Sequence, residues 1–467
     1  MKQSLLLILA AASLTSGCAT TSLTGGASGS SPKLGLELPA TWNQSEAQMD
    51  QVVTGVTQPA WLSALEGDDW ATLVEEAYRN NPDLDQLRAN LNRADALTQQ
   101  ARAGLMPILD GLLGASRSDA LEGSGASSAT LSASLSASWE PDLWGRLTAR
   151  LDASQLEREA RLADLDSAKQ VLAASVVEAT FLTIEAQRLA DVSSRNLDAL
   201  SETLGFVKVQ QERGLRSAQD LVLIRADVAT AEASLRQAEG SARQAKRALE
   251  TLIGVYPGTT RIIPNRLPKV PEVQGVGQPT DILRTRPDLR SAEYRVLAAY
   301  ANHEAAVADQ KPQLSLSGSF GGSDASLSNV LDPMNIASNL LANVSAPLFD
   351  AGLRRSAVDA AEADIDAALA TYRRTALTAF QDVEDQIDSG QVLKAQEEAL
   401  LLALEDARQA LKFMRFRYES AEVDLLNVLQ IQQRVSFIEG QLVTLRRARL
   451  VQYLNLSLAL GVPPMEV

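Results

Sequence analysis

Between Leu131 and Trp139 the side chains alternate strictly. Leu131, Ala133, Leu135, Ala137 and Trp139 fall on one side of an extended chain, and Ser132, Ser134, Ser136 and Ser138 on the other. A period of two is the strand period, and a strand with one oily face and one small polar face suits a wall between lipid and water. The pattern returns where Leu314, Leu316, Gly318 and Phe320 alternate with Gln313, Ser315, Ser317 and Ser319. Strands are therefore predicted at about 128–139 and 313–320, with less regular hairpin partners at about 108–117 and 338–348. Asp110 and Asn343 fall on the polar side of these partners, and Trp139 and Phe320 are expected near the membrane–water interfaces. The Gly/Ser/Asp-rich segments 118–127 and 321–335 carry no core signal and read as loops.

Most of the remaining chain has helical periodicity. From Leu151 to Glu212, the residues Leu165, Leu172, Ala179, Ala186, Ser193, Leu200 and Val207 recur every seven positions. With Ala168, Ser175, Leu182 and Leu189 beside them, they form the seam of a coiled coil with small knobs. At 1.5 Å per residue such a helix is roughly 90 Å long, more than a single globular domain needs. Long helices are predicted at about 146–212 and 353–419, and returning helices at about 217–253 and 424–460. The breaks fall at Gly214-Leu215-Arg216-Ser217 and Ser420-Ala421-Glu422-Val423-Asp424, with Ser217 and Asp424 placed as N-caps.

The chain is also written twice. Asn81-Pro82-Asp83-Leu84 returns as Arg286-Pro287-Asp288-Leu289, 205 residues on, and Pro107 returns as Pro312 at the same spacing. Leu143-Trp144 with Gly145 and Arg146 matches Leu348-Phe349 with Gly352 and Arg354. From these glycines onward the spacing is 207, pairing Gly214 with Ala421 and Leu252-Ile253-Gly254-Val255 with Ala459-Leu460-Gly461-Val462. Two copies of one unit are predicted, 63–255 and 280–465, joined by the Pro-rich linker 256–279. Each copy reads as helix, β-hairpin, long helix, tight turn and returning helix. Pro82 and Pro287 open the first helix of each copy, where a missing N–H costs nothing.

At the start of the chain, Lys2, the apolar run Leu5–Leu14 and the small residues Thr15-Ser16-Gly17 read as a signal peptide over 1–17, the run being too short to span a bilayer. Cys18 follows directly and resembles the acylated cysteine of bacterial lipoproteins, although the favoured Leu three places earlier is Thr15. Ala19 lacks the Asp that resembles an inner-membrane retention signal, so outer-membrane sorting is expected. Residues 18–62 are then a lipidated N-terminus and tether, Ser/Thr/Gly-rich from Thr20 to Ser31. The alternative is an ordinary signal peptide beside an unmodified Cys.

Composition narrows the function classes. Aromatic residues make up 4% of the chain, which fits extended packed helices better than a compact enzyme core. A net charge of −15 argues against a nucleic-acid partner. One Cys and one His leave no disulfide framework and little material for a His-based metal site or a triad. His303, beside Glu304, reads as a packing or interface residue. Asp382, Glu384, Asp385 and Asp388 read as a solvated or lumen-facing row rather than a cation site. No phosphate-binding loop occurs, so the chain is expected to be neither an enzyme nor a cofactor protein, and energy must come from a partner.

Two hairpins give four strands, each long enough to cross an outer membrane when tilted. Four strands cannot close a barrel, and an open edge in lipid leaves backbone groups unpaired. Several chains must share one barrel, its serines lining a wet lumen: Ser132, Ser134, Ser136, Ser138, Ser315, Ser317 and Ser319. At this point Trp139-Glu140-Pro141-Asp142-Leu143-Trp144-Gly145-Arg146, Asp281-Ile282-Leu283-Arg284-Thr285-Arg286-Pro287-Asp288-Leu289 and Pro347-Leu348-Phe349-Asp350-Ala351-Gly352 resemble the marker segments of the TolC-type outer-membrane efflux proteins, in their lipoprotein branch. The resemblance covers nearly the whole mature chain. It implies a mainly α protein with a transmembrane β-barrel, a homotrimer whose twelve-stranded barrel sits on an α-helical periplasmic barrel. It also implies the exit duct of a tripartite pump for drugs or other small solutes, joined to a periplasmic adaptor and an inner-membrane transporter, often of the resistance-nodulation-division class.

In that family the duct closes at the periplasmic end. The resemblance places the gate at Asp424, Leu426, Asn427 and Gln430, with Asp220 from the first copy and support from Arg417, Tyr418 and Glu419. Asn427 and Gln430 are amides where family members frequently carry Asp. The turns Gly214, Leu215, Arg216, Ser217, Ala421 and Glu422 would meet the adaptor. Two alternatives stay open: the outer component of a type I protein secretion system, and a structural coiled-coil lipoprotein without a pore.

Overall fold

The computed structural model describes residues 39, 42, 61–65, 70–118, 128–258, 261–273, 275–420 and 422–463. The helices are α1 (Trp70–Asn80), α2 (Pro82–Ala103), α3 (Arg146–Glu212), α4 (Ala218–Ile253), α5 (Ile282–Thr285), α6 (Pro287–Ala308), α7 (Leu327–Val330), α8 (Leu353–Glu419) and α9 (Leu425–Ala459). The strands are β1 (Ile108–Ser118), β2 (Ser128–Trp139), β3 (Gln313–Asp324) and β4 (Ile336–Ser345). Among the described residues the chain divides into two compact units. The first comprises Leu97–Glu157 and Glu293–Leu369, the second Leu34–Ala96, Arg158–Ala292 and Ala370–Val467.

The first unit holds one antiparallel sheet in the order β1-β2-β3-β4. β3 continues four residues past the expected 313–320. Gly321 and Gly322, read from sequence as the start of a loop, are strand residues pressed against neighbouring backbone. A Cβ on Gly321 would lie 2.3 Å from the Ala133 carbonyl oxygen, and one on Gly322 would lie 2.2 Å from that of Val330. Glycine inside a strand marks such a close approach as often as a break. β4 runs from Ile336 and stops at Ser345 rather than 348, because Pro347 has no N–H for the ladder. The two Gly–Arg turns meet at one carboxylate: Arg146 and Arg354 lie 3.8 and 3.6 Å from Asp309.

In the second unit the two copies build the same joint with different side chains. Asn81 caps α2, its side-chain oxygen accepting from the Asp83 N–H at 2.9 Å, while its amide donates to the Leu252 carbonyl at 2.9 Å. In the second copy Arg286 takes that place. It donates to the Ala459 carbonyl at 3.2 Å and bridges Asp288 and Asp382 at 2.8 and 3.3 Å. Asp382 of the carboxylate row is thus tied into the joint while its side chain stays 45% exposed. Burial acts to lower the Arg286 pKa, but these two carboxylates outweigh it and leave the guanidinium raised. The returning helices end alike. Val255 donates to Glu250 and Val462 to Ser457, closing six-residue C-cap loops around Gly254 and Gly461, whose φ angles are +84° and +72°.

Two expectations need correction. The heptad seam describes only part of the middle of α3: Leu172 and Ala186 are buried as expected, but Ala173, Val176, Val177, Phe181 and Ile184 outside it are all at most 1% exposed, while Leu182 of the expected seam is 43% exposed. Here the buried face is wider than a coiled-coil seam and leaves an exposed strip at Val171, Glu178 and Leu182, and Phe181 meets Trp70 edge-on at 5.4 Å. Nor is the whole of 18–62 a tether. Trp42, Trp61 and Leu62 are buried, Trp42 faces Phe380 at 6.3 Å, and the Trp61 N–H reaches the Pro463 carbonyl.

Gly254 and Gly214 separate strain from collision. Both have φ in the left-handed region, but a Cβ on Gly254 would lie 2.3 Å from the Asn80 carbonyl oxygen, whereas Gly214 has open space. Gly214→Ala should cost about 1 kcal/mol from backbone strain alone. Gly254→Ala should cost at least about 3 kcal/mol, because backbone must also move. Guanidinium unfolding midpoints of the detergent-solubilised protein check the difference.

Candidate functional site

Register decides which residues share a face of the sheet. Ser136 lies opposite Asp110 on one side and Ser319 on the other, Ser138 opposite Ser317, and Ser315 opposite Asn343. The serine row of β2 is therefore continuous with Ser315, Ser317 and Ser319, with Asp110, Asn339 and Asn343 on the same face. Ile108, Leu112 and Leu341 also lie on it, so the polar face is mixed at its outer strands. Gly114 makes room within it, since a Cβ there would lie 2.7 Å from the Ser132 hydroxyl.

The opposite face carries Leu109 and Leu113 from β1, Leu135 and Trp139 from β2, Leu316 and Phe320 from β3, and Leu340 and Val344 from β4. Leu113 and Leu340 are 85% and 84% exposed. Each large side chain left in water forgoes about 1.5–3 kcal/mol, so this face belongs against lipid. Trp139 closes the strand end, its indole N–H donating to the Leu105 carbonyl at 3.0 Å. Phe320 does not share that position. It pairs with Leu135 at mid-strand, because β3 continues to Asp324. Among the described residues β1 and β4 each have one edge without a partner, and no helix is long and apolar enough to cross a membrane.

The second candidate region gathers four helix ends around one apolar cluster: Leu200 and Val207 of α3, Ile224 and Ala231 of α4, Tyr418 of α8, and Leu425, Val428 and Leu429 of α9. Both turns use the same device. Leu215 donates to Gln210 and Glu422 to Arg417, each at 2.9 Å across six residues. Arg216 crosses from the first turn to the second, with its guanidinium 4.0 Å above the Tyr418 ring and donating to the Tyr418 carbonyl. Phe206 meets the same ring edge-on at 6.0 Å. The Tyr418 hydroxyl is buried without a hydrogen-bond partner among the described residues. Burial pushes its pKa up, with the Arg216 guanidinium acting against the rise and the Asp220 carboxylate adding to it.

The gate residues expected from sequence separate into different roles. Ser217 caps α4, accepting from the Asp220 N–H at 3.1 Å, but Asp424 makes no side-chain cap bond to α9. Its carboxylate is not spent on the helix. Asp424, Leu426, Asn427 and Gln430 all lie exposed, Leu426 at 53%, and the residue packed beneath them is Leu425, at 1%. Leu426 thus packs into no core among the described residues. Of the supporting three, Tyr418 is a core residue, Arg417 pairs with Glu422 at 3.1 Å on the surface, and Glu419 is exposed. Sequence reasoning missed Leu425 and the Arg216–Tyr418 clamp; the alternation of buried and exposed positions after Asp424 is the signal that could have found the first. Cys18 and Ala421 lie outside the described residues.

A sheet exposed and apolar on one face, small and polar on the other, and carried on helices of 67 residues defines one subunit of an outer-membrane channel. The chain belongs to the outer membrane efflux protein family, which it matches twice, over residues 73–255 and 279–462, once for each copy. It is 30% identical over 452 residues to the pyoverdine export outer membrane protein OpmQ of Pseudomonas aeruginosa, covering 93% of this chain and 94% of that one. It is also 30% identical to outer membrane protein OprJ of the same organism, over 90% and 89% of the two chains. The solved structure of the outer-membrane channel OprN superimposes with a TM-score of 0.84 at 25% identity, over 93% of this chain and 98% of that one. The protein is an outer-membrane efflux component, an exit duct, which removes the reading as a structural coiled coil without a pore.

The two turns should respond differently to substitution. Ser217→Ala loses a real cap bond and should cost about 1 kcal/mol, whereas Asp424→Ala should cost less than half as much. Tyr418→Phe removes an unpaired buried hydroxyl and should be neutral or stabilising, unlike Tyr418→Ala, which should cost about 3–5 kcal/mol. Denaturant midpoints of the four single variants test the ranking.

Proposed function

We propose that three copies of this chain close a twelve-stranded barrel and act as the exit duct of a tripartite pump, taking solutes from a periplasmic adaptor and an inner-membrane transporter of the resistance-nodulation-division class. The observation that carries this reading is the four-stranded sheet with one exposed apolar face and two open edges. Unpaired backbone groups in hydrocarbon cost several kcal/mol each, and closure on further copies removes every edge. Three copies satisfy the edge, where one cannot. The serine face then lines a hydrated lumen. OpmQ, named for pyoverdine export, supports solutes as cargo rather than secreted protein chains. Cys18 carries the lipid that holds the N-terminus at the outer membrane, a reading supported by the apolar run before it.

The duct is gated at the helix turns. Asp424, Leu426, Asn427 and Gln430 project from α9 into the lumen, joined by Asp220, while the Arg216–Tyr418 clamp ties the two turns together. Docking of the adaptor on the turns at Gly214–Ser217 and Ala421–Glu422 opens the passage by separating them. Three-fold symmetry repeats each residue around the constriction, so one substitution changes three side chains. The double variant Asp424→Ala/Leu426→Ala should raise single-channel conductance in planar bilayers. Unchanged conductance would overturn the gate.

A further inference from the structure

The chain is strongly acidic, yet one groove in the second unit reverses that balance. It has a volume of about 700 Å³ and lies between α3, α8, α9 and the linker segment 266–270. Seven Lys and Arg side chains line it against two carboxylates. Both carboxylates are already shared between pairs of arginines. Glu439 lies 3.2 Å from Arg195 and 2.5 Å from Arg408, and Glu397 takes Arg446 at 3.1 Å together with Arg449. Each glutamate therefore holds two guanidiniums in place while neutralising only one.

The remaining cations are less engaged. Arg188 reaches Asp191 only at 4.0 Å, and Asp191 also accepts from Asn265. Arg266 and Lys269 are exposed and make no hydrogen bond or ion pair among the described residues. Below this rim the floor is apolar: Val192, Leu404 and Leu442 are buried, and Leu401 is 43% exposed in the groove. The groove contains no residue of the strands or of the helix turns.

We propose that this groove is a docking site for a short acidic segment of a partner protein, one that alternates carboxylates with apolar side chains. Charge complementarity selects the carboxylates, which the arginine forks and Lys269 would bind along the rim. The apolar floor selects a peptide over a glycan or a bare polyanion, neither of which has side chains to cover Leu401. The volume suits a linear segment of a few residues rather than a folded domain. A second copy of the chain is acidic too, at a net charge of −15, but it is a poorer occupant because its acidic residues are spread over long helices and not gathered in a short segment that alternates with apolar side chains.

The test uses the full-length channel in lipid nanodiscs and a fluorescent peptide of alternating Glu and Leu, followed by anisotropy at low and high salt. Binding should be saturable, should weaken at high salt, and should fall about tenfold or more in the charge-reversed Arg266→Glu/Lys269→Glu variant. Leu401→Ser should lower affinity without changing the salt dependence. Both exchanges are at exposed positions, so the channel should still assemble and conduct. Undiminished binding by the charge-reversed variant would overturn the proposal. Equal binding of a Gln/Leu peptide, or of a Glu peptide without Leu, would do the same, the first removing the charge requirement and the second the floor. Capture of isolated murein sacculi without peptide binding would point to a wall polymer instead. A change of oligomeric mass in the variant would make the groove a contact between copies.

Discussion

Backbone N–H and C=O groups cannot be left unpaired in hydrocarbon, and the organisation of this chain follows from that constraint. Each chain brings only four strands, so the ladder ends at β1 and β4. The apolar row from Leu109 to Val344 places the sheet against lipid, where those two edges must be joined to something. The serine row adds the other half of the condition, because small hydroxyls tolerate water at low volume. Even the irregular residues serve the ladder. Gly321 and Gly322 let β3 run past β2 and the α7 segment where any side chain would collide.

Away from the strands the problem changes from pairing to packing. Very long helices made of Ala, Leu and charged residues need fixed joints where they turn, and the duplicated chain builds each joint twice. Asn81 and Arg286 show how loosely sequence constrains such a joint. One is a short amide that caps a helix, the other a guanidinium held by two carboxylates, yet both donate to the carbonyl at the corresponding position of the returning helix. Backbone geometry was kept through Gly254 and Gly461, while the side-chain solution diverged.

At the opposite helix ends the buried members and the exposed members do different things. Leu425 and Tyr418 hold the four ends together, which leaves Asp424, Leu426, Asn427 and Gln430 available to face whatever lies outside the chain. The missing cap bond at Asp424 fits the same division, since a carboxylate engaged on its own helix would present less charge outward. The basic groove beside the linker follows a similar logic, with Glu397 and Glu439 fixing arginines in place instead of cancelling them.

Much of this was legible in the sequence, because strand alternation, heptad spacing and a repeat of some 200 residues are one-dimensional signals with a direct physical cause. They determined the two copies, the four strands, the long helices and the polar row of serines. What they could not supply was anything set by contacts distant along the chain. Trp42 and Trp61 stand in a segment without periodicity, so their burial could not be read from spacing. The middle of α3 follows a seven-residue pattern and is nevertheless buried over a wider face than that pattern predicts, since its neighbours come from α1 and other distant segments. Cross-strand register placed Phe320 at mid-strand rather than at an interface, and tertiary packing alone brought Arg216 over Tyr418. The sequence determined which faces were oily or wet. Only the tertiary structure decided which residue meets which, because pair contacts depend on where separate periodic elements stop and how they are offset.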